Sequence, residues 1–181
     1  GFVCLFTFGG FGGLILATTP IDYSLHDTYF VVGHFHLTMA AGSILILCGM
    51  TYFWWPKMTG RMLDETVGNV VFWLMFIGIA GAFLVMHFTG MEGMARRIAW
   101  YYSDFKLLNH ITTGFYALVM LGSMIFVGQL LLSYRKPKVA VNDPWDHNDI
   151  HGCFEWATTC PPPVYNFEQV PPIPVLDPRK H

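Results

Sequence analysis

Four apolar segments in series are what this chain has to accommodate. They run from about Gly1 to Thr18, with Pro20 as the stop, from about Tyr29 to Trp55, closed by Pro56, from roughly Gly68 to Met91, and from about Asn109 to Tyr134. A helix needs about 20 residues at 1.5 Å rise each to cross a bilayer. The first segment is marginal and the other three are long enough. Only 12% of the residues are charged and 54% are hydrophobic, whereas about a quarter of a soluble domain is charged. The predicted fold is therefore an all-α integral membrane protein with about four transmembrane helices. A net charge of −2 offers no basic field for nucleic acid. The four cysteines, at 4, 48, 153 and 160, imply no disulfide framework.

Trp54, Trp55, Tyr52, Trp73 and Tyr134 fall near segment ends, as interfacial aromatics do. Lys57 and Arg61 follow the second segment, and Arg135, Lys136 and Lys138 follow the fourth. The positive-inside rule puts both regions on the inner side. The loop from Asp22 to Asp27 then faces outward, together with the loop holding Arg96, Arg97 and Lys106. Two adjacent arginines on the outer side call for a reason. The sequence divides into a membrane part, residues 1–138, and a polar, Pro-rich surface tail, residues 139–181, with PPP at 161–163 and PPIP at 171–174. It opens without Met, already inside an apolar run, which predicts the downstream piece of a larger polytopic protein.

His34 and His36 lie inside the second segment, with Phe35 between them. Residues two apart on a helix are rotated by about 200° and displaced by about 3 Å. The two imidazoles cannot share one metal, but they can each ligate one of two cofactors flanking the helix. Haem is the natural candidate. Against this stands the plainer alternative of two polar residues satisfied by neighbouring helices, which the high cost of intramembrane ionisable groups disfavours. Asp27 at the outer end either caps the helix, which spacing alone favours, or joins His26 as a pair of ligands for a hard cation such as Mg²⁺. Arg96 and Arg97 suit the carboxylates of two haem propionates, or serve as interfacial anchors.

The run from His26 to His36, HDTYFVVGHFH, together with GMARR at 93–97, NHIT at 109–112 and the tail elements DPW and EWATTCPPPVYNF, resembles subunit I of the haem–copper oxygen reductases, the cytochrome c oxidase type. The resemblance extends over the whole chain as the last third of a twelve-helix subunit, helices nine to twelve plus tail. It implies part of a terminal respiratory oxidase that reduces O₂ to water and translocates protons. His34 is similar to the proximal ligand of the high-spin haem and His36 to an axial ligand of the low-spin haem, both expected to be a-type haems, with Phe35 between them. The resemblance makes His26 and Asp27 the Mg²⁺ pair, completed by subunit II, and Arg96 and Arg97 the propionate partners, with Asp22 nearby. The copper ligands lie on earlier helices, outside this chain, so the chain alone is not expected to be active. Implied partners are the N-terminal remainder of subunit I, subunits II and III, cytochrome c and the lipid bilayer.

Three alternatives accompany this resemblance: a quinol oxidase of the same superfamily, a membrane scaffold that has lost haem, and a nitric oxide reductase, which the HDTY segment fits less well. Between DPW and EWAT the insertion DHNDIHGCF departs from the family. It places His147, His151 and Cys153 close in sequence, with Cys160 following, a set that can hold structural Zn²⁺ or be a polar loop. The sequence opening favours a mitochondrial inner membrane with a split subunit, and the tail a bacterial plasma membrane.

Overall fold

The computed structural model describes residues 1–138, 142–145 and 154–167. His147, His151 and Cys153 lie outside them. The described residues are helical, and the one β-type contact among them is an isolated antiparallel bridge between Thr28 and Ala95. In order come α1 (Phe2–Ala17), α2 (Thr19–Leu25), α3 (Tyr29–Phe35), a π-helical turn (His36–Ala40), α4 (Ala41–Thr59), α5 (Glu65–Met91), a 3₁₀ turn (Ser103–Phe105) and α6 (Lys106–Ser133). Among the described residues, three continuous spans are long and apolar enough to cross a membrane: Tyr29–Thr59, Glu65–Met91 and Ser103–Ser133. Taken together as one broken span, α1 and α2, bent by 104° at their junction, make a fourth. This is the expected helical membrane architecture.

The first helix ends at Ala17 with Thr18 as its C-cap, where the sequence places the stop, but Pro20 then opens a further short helix. It stands in the first turn of α2, where a missing N–H costs nothing and the fixed φ is already helical. Pro56 lies inside α4, close enough to its end that few hydrogen bonds are lost. The helix stops at Gly60, which adopts φ +71° and donates its N–H to the Pro56 carbonyl at 2.7 Å, a glycine termination.

By contacts the chain forms two units. The first comprises Gly1–Gly49 with Glu65–Gly128, the second Met50–Asp64 with the chain from Gln129 onward. In the first unit, Leu5, Leu37, Ala41, Val71, Ile79 and Phe83 belong to one buried cluster. Close approach between its helices depends on small residues, as is usual where lipid supplies no hydrophobic drive. A Cβ on Gly78 would meet Val119 and the Phe115 carbonyl of α6 at 2.7 and 2.9 Å. One on Gly90 would lie 1.9 Å from the Phe30 backbone nitrogen of α3.

In the second unit, aromatic residues expected at an interface are tied to protein partners. Tyr52 donates its hydroxyl to Gln129, whose amide donates to the Asp64 carbonyl at 2.8 Å. Trp55 is buried and donates its indole N–H to Ser133 Oγ at 2.9 Å. Tail residues pack on the end of α4. Trp145 donates to the Phe53 carbonyl at 3.0 Å, and Trp54 to Glu155 at 2.5 Å. The Lys57 ammonium is buried, donates to the Thr158 carbonyl at 3.0 Å and sits 5.1 Å from the centre of the buried Trp156 ring. A carbonyl and an aromatic face together compensate a cation removed from water.

Candidate haem-ligand and outer-loop site

His34 and His36 leave the helix toward different neighbours. His34 lies against the glycine face of α1, where a Cβ on Gly13 would come within 2.8 Å of its ring. Its Nδ1 is 2.7 Å from the Gly9 carbonyl oxygen. His36 lies flat on Phe83 of α5, ring centres 4.7 Å apart and 16° from parallel. Its Nδ1 is 2.8 Å from the Val32 carbonyl oxygen, one turn back on its own helix. A carbonyl only accepts, so in both rings Nδ1 carries the proton and Nε2 keeps the lone pair. That is the tautomer of a metal-ligating histidine oriented by a backbone acceptor. The donor set therefore suits two separate iron-bound cofactors. Phe35 is half-buried, its ring centre 4.3 Å from that of His36.

The outer end of α3 is built by two loops that sequence separates by about 70 residues. Tyr29 N–H donates to the Met94 carbonyl at 2.9 Å and Arg96 N–H to the Asp27 carbonyl at 2.8 Å. Asp27 and Arg97 both take left-handed backbone conformations, φ +58° and +64°, which non-glycine residues hold only where surrounding contacts enforce them. The helix cap that spacing assigned to Asp27 is instead Thr28, whose side-chain oxygen accepts the Phe30 N–H at 3.2 Å. Asp27 is thereby free to turn outward to Arg96. The Arg96 Nε donates to Asp27 Oδ1 at 2.7 Å and its Nη2 reaches the same oxygen. That bond, more than any other influence, holds the Asp27 carboxyl below its usual range, with the Arg96, His26 and Arg97 charges assisting.

The second carboxylate oxygen, Oδ2, lies 3.3 Å from His26 Nε2. Asp22 Oδ2 lies 4.0 Å from the other ring nitrogen of His26. Arg96 is partly buried, while Arg97 is exposed. The structure thus gathers Asp22, His26, Asp27 and Arg96 into one charged row, and Arg97 adjoins it in sequence. Among the described residues no group of three or more His, Cys, Asp or Glu side chains is arranged to hold a metal ion by itself. Of the four tail residues expected as zinc ligands, only Cys160 is described. Its thiol donates to the Asn142 carbonyl at 2.8 Å, and burial pushes the thiol pKa up.

One histidine was not singled out from sequence. His87 of α5 has its Nδ1 2.7 Å from the Phe83 carbonyl oxygen, and its Nε2 is buried without a hydrogen-bond partner. The signal was present, because an ionisable residue in an apolar span is a functional candidate by default.

Residues 1–125 match the family described as cytochrome c and quinol oxidase polypeptide I. The chain belongs to this family. Over 176 residues, 96% of the chain, it is 46% identical to cytochrome c oxidase subunit 1 of Corynebacterium diphtheriae, covering 31% of that protein. It is 42% identical over 177 residues to the probable cytochrome c oxidase subunit 1-alpha of Streptomyces coelicolor, covering 96% of this chain and 30% of that one. To cytochrome c oxidase subunit 1 of Alkalihalophilus pseudofirmus it is 40% identical over 182 residues, 98% of this chain and 28% of the relative. The chain thus spans about a third of the length of the curated relatives it matches. These relatives are bacterial and lend no support to the expected mitochondrial location; a multi-pass protein of a bacterial membrane accords with them.

Proposed function

We propose that the chain supplies one side of the two haem pockets of a terminal respiratory oxidase, which reduces O₂ to water and translocates protons. The observation that carries this is the pair of intramembrane imidazoles at His34 and His36, each with Nδ1–H given to a backbone carbonyl and Nε2 left to bind. His34 ligates the high-spin haem and His36 the low-spin haem, both a-type, with Phe35 between them. When bound, the haems with the copper held by residues outside this chain supply the electron transfer and oxygen chemistry. The chain's own residues orient the irons and keep water from the apolar flanks of α3.

At the outer loops, Arg96 and Arg97 hold ionised propionates, Arg96 while also fixing Asp27, and Asp22 lies in the same charged row. His26 Nε2 and Asp27 Oδ2 bind Mg²⁺. Two neighbouring ligands about 2.1 Å from an octahedral Mg²⁺ stand about 3 Å apart, close to the 3.3 Å found here. Because only these two donors converge among the described residues, a third comes from subunit II. Residues 1–138 form the haem-binding part and 139–181 a surface tail, in which Zn²⁺ bound by His147, His151, Cys153 and Cys160 would require Cys160 to release Asn142.

The functional unit includes the N-terminal remainder of subunit I with subunits II and III, in a bacterial plasma membrane, with cytochrome c as electron donor. The names of the relatives favour that donor over quinol. The test is the reduced-minus-oxidised spectrum of the assembled complex. His36→Leu should remove the low-spin haem signal and His34→Leu the high-spin one. A wild-type complex without haem would leave the haem-free scaffold as the reading, and turnover with quinol but not cytochrome c would reassign the donor.

A further inference from the structure

The two partners of the His34 hydrogen bond are braced by a single side chain. The Gly9 carbonyl that accepts from His34 belongs to α1, and His34 itself follows Gly33 on α3. His87 of α5 touches the neighbours of both. A Cβ on Gly12, one turn from Gly9, would lie 2.8 Å from His87 Nε2, and one on Gly33 would lie 2.6 Å from His87 Nδ1. The ring is a flat spacer seated on two glycines, one on each helix. Its rotation is set by Nδ1–H donating to the Phe83 carbonyl at 2.7 Å, and its edge meets Phe30 at 4.7 Å between ring centres. Its Nε2 then points at Gly12 with no polar partner, an arrangement that is costly for a buried acceptor. A phenyl ring would fill the same space without that cost.

We infer that His87 is a positioning residue for His34: wedged between Gly12 and Gly33, it sets the α1–α3 separation and so the length of the His34 Nδ1–H to Gly9 carbonyl bond. This rests on the reading of His34 as the high-spin haem ligand. A histidine ligand whose second nitrogen donates a short hydrogen bond is a stronger electron donor to its metal. Removing the wedge lets the two helices shift and weakens that donation. The low-spin ligand should respond less, because the His36 Nδ1–H is accepted by Val32 of its own helix, although its ring rests on Phe83.

The test uses the assembled complex with His87→Ala, His87→Phe and His87→Asn. The Fe–His stretching band of the ferrous high-spin haem is read by resonance Raman, and both haem midpoint potentials by spectroelectrochemistry. His87→Ala should lower the stretching frequency and raise the high-spin potential, moving the low-spin potential less. His87→Phe, which keeps the spacer, should stay closer to wild type than His87→Asn, which keeps only the tether to Phe83. If the alanine variant does not assemble, the order of the other two decides. Haem bound at full occupancy with the band and potentials unmoved in all assembled variants overturns this inference alone. A wild-type complex lacking the high-spin haem overturns the reading beneath it.

Discussion

At Gly90 α5 packs directly on the α3 backbone, and replacing it with alanine should damage the whole outer end of the site. The new methyl would sit 1.9 Å from the Phe30 nitrogen and 2.6 Å from its Cα. Real carbon contacts do not fall below about 3 Å, so the helices must part by about 1 Å. The obstacle is backbone, which cannot swing aside as a side chain would. Overpacking of this kind costs about 1–3 kcal/mol. The displacement also stretches the Tyr29 N–H to Met94 carbonyl bond, now 2.9 Å, worth about 0.5–1.5 kcal/mol. Against these stands the helix propensity of alanine over glycine, about 1 kcal/mol. A net loss of about 1–3 kcal/mol remains. Because unfolding of a membrane complex is irreversible, the measurement is the half-life of the haem absorption band at a fixed elevated temperature. Gly90→Ala should shorten it markedly, whereas Met91→Ala, an exposed neighbour, should leave it near wild type. A Gly90→Ala complex as long-lived as wild type would refute the claim that backbone contact sets this packing.

Arg96→Gln should raise the Asp27 pKa toward the ordinary carboxylate value. A carboxylate whose folded pKa is depressed contributes stability above its unfolded value and loses it as pH falls through the folded one. Acid release of Mn²⁺ substituted at the proposed His26–Asp27 site, followed by electron paramagnetic resonance, should therefore begin at higher pH in this variant. Trp156→Ala empties a fully buried site in the second unit and should cost about 3–5 kcal/mol locally, seen as faster proteolysis of the tail. Cys160, whose thiol is pushed up by burial, should alkylate more slowly at neutral pH than a free thiol. Its contribution is present below the ordinary thiol pKa and fades as pH rises through the raised one, so tail protection should weaken in alkali.

Spans were legible because lipid demands long apolar helices whatever the partners, and the His34–His36 geometry followed from helical rotation alone. What escaped was set by contacts remote in sequence. Asp27 as the partner of Arg96, 69 residues away, needs the Thr28–Ala95 bridge, which no local pattern announces. The capping role went to Thr28 because Asp27 was already turned left-handed by that loop. The end of the first helix before Pro20 was legible, but the short helix that Pro20 opens and the continuation of α4 past Pro56 were not, since a proline's effect depends on which turn of the helix it occupies. His87 was overlooked because it stands alone, without the doublet that drew attention to His34 and His36.

The wide turn at His36–Ala40, where Ala41 N–H reaches back five residues to the His36 carbonyl, has a consequence for sequence change. Such a turn holds one residue more than an α-helix of equal length. Ala41 and Leu45 below it pack with the first unit's core, in phase with the ligands above because the wide turn absorbs the surplus. Deleting a single residue between Leu37 and Ala40 would close the helix to ordinary pitch and leave those faces nearly in place, whereas a deletion in an ordinary turn of the same span would rotate everything beyond it by about 100°. The span can thus lose a residue at this turn far more readily than anywhere else along it.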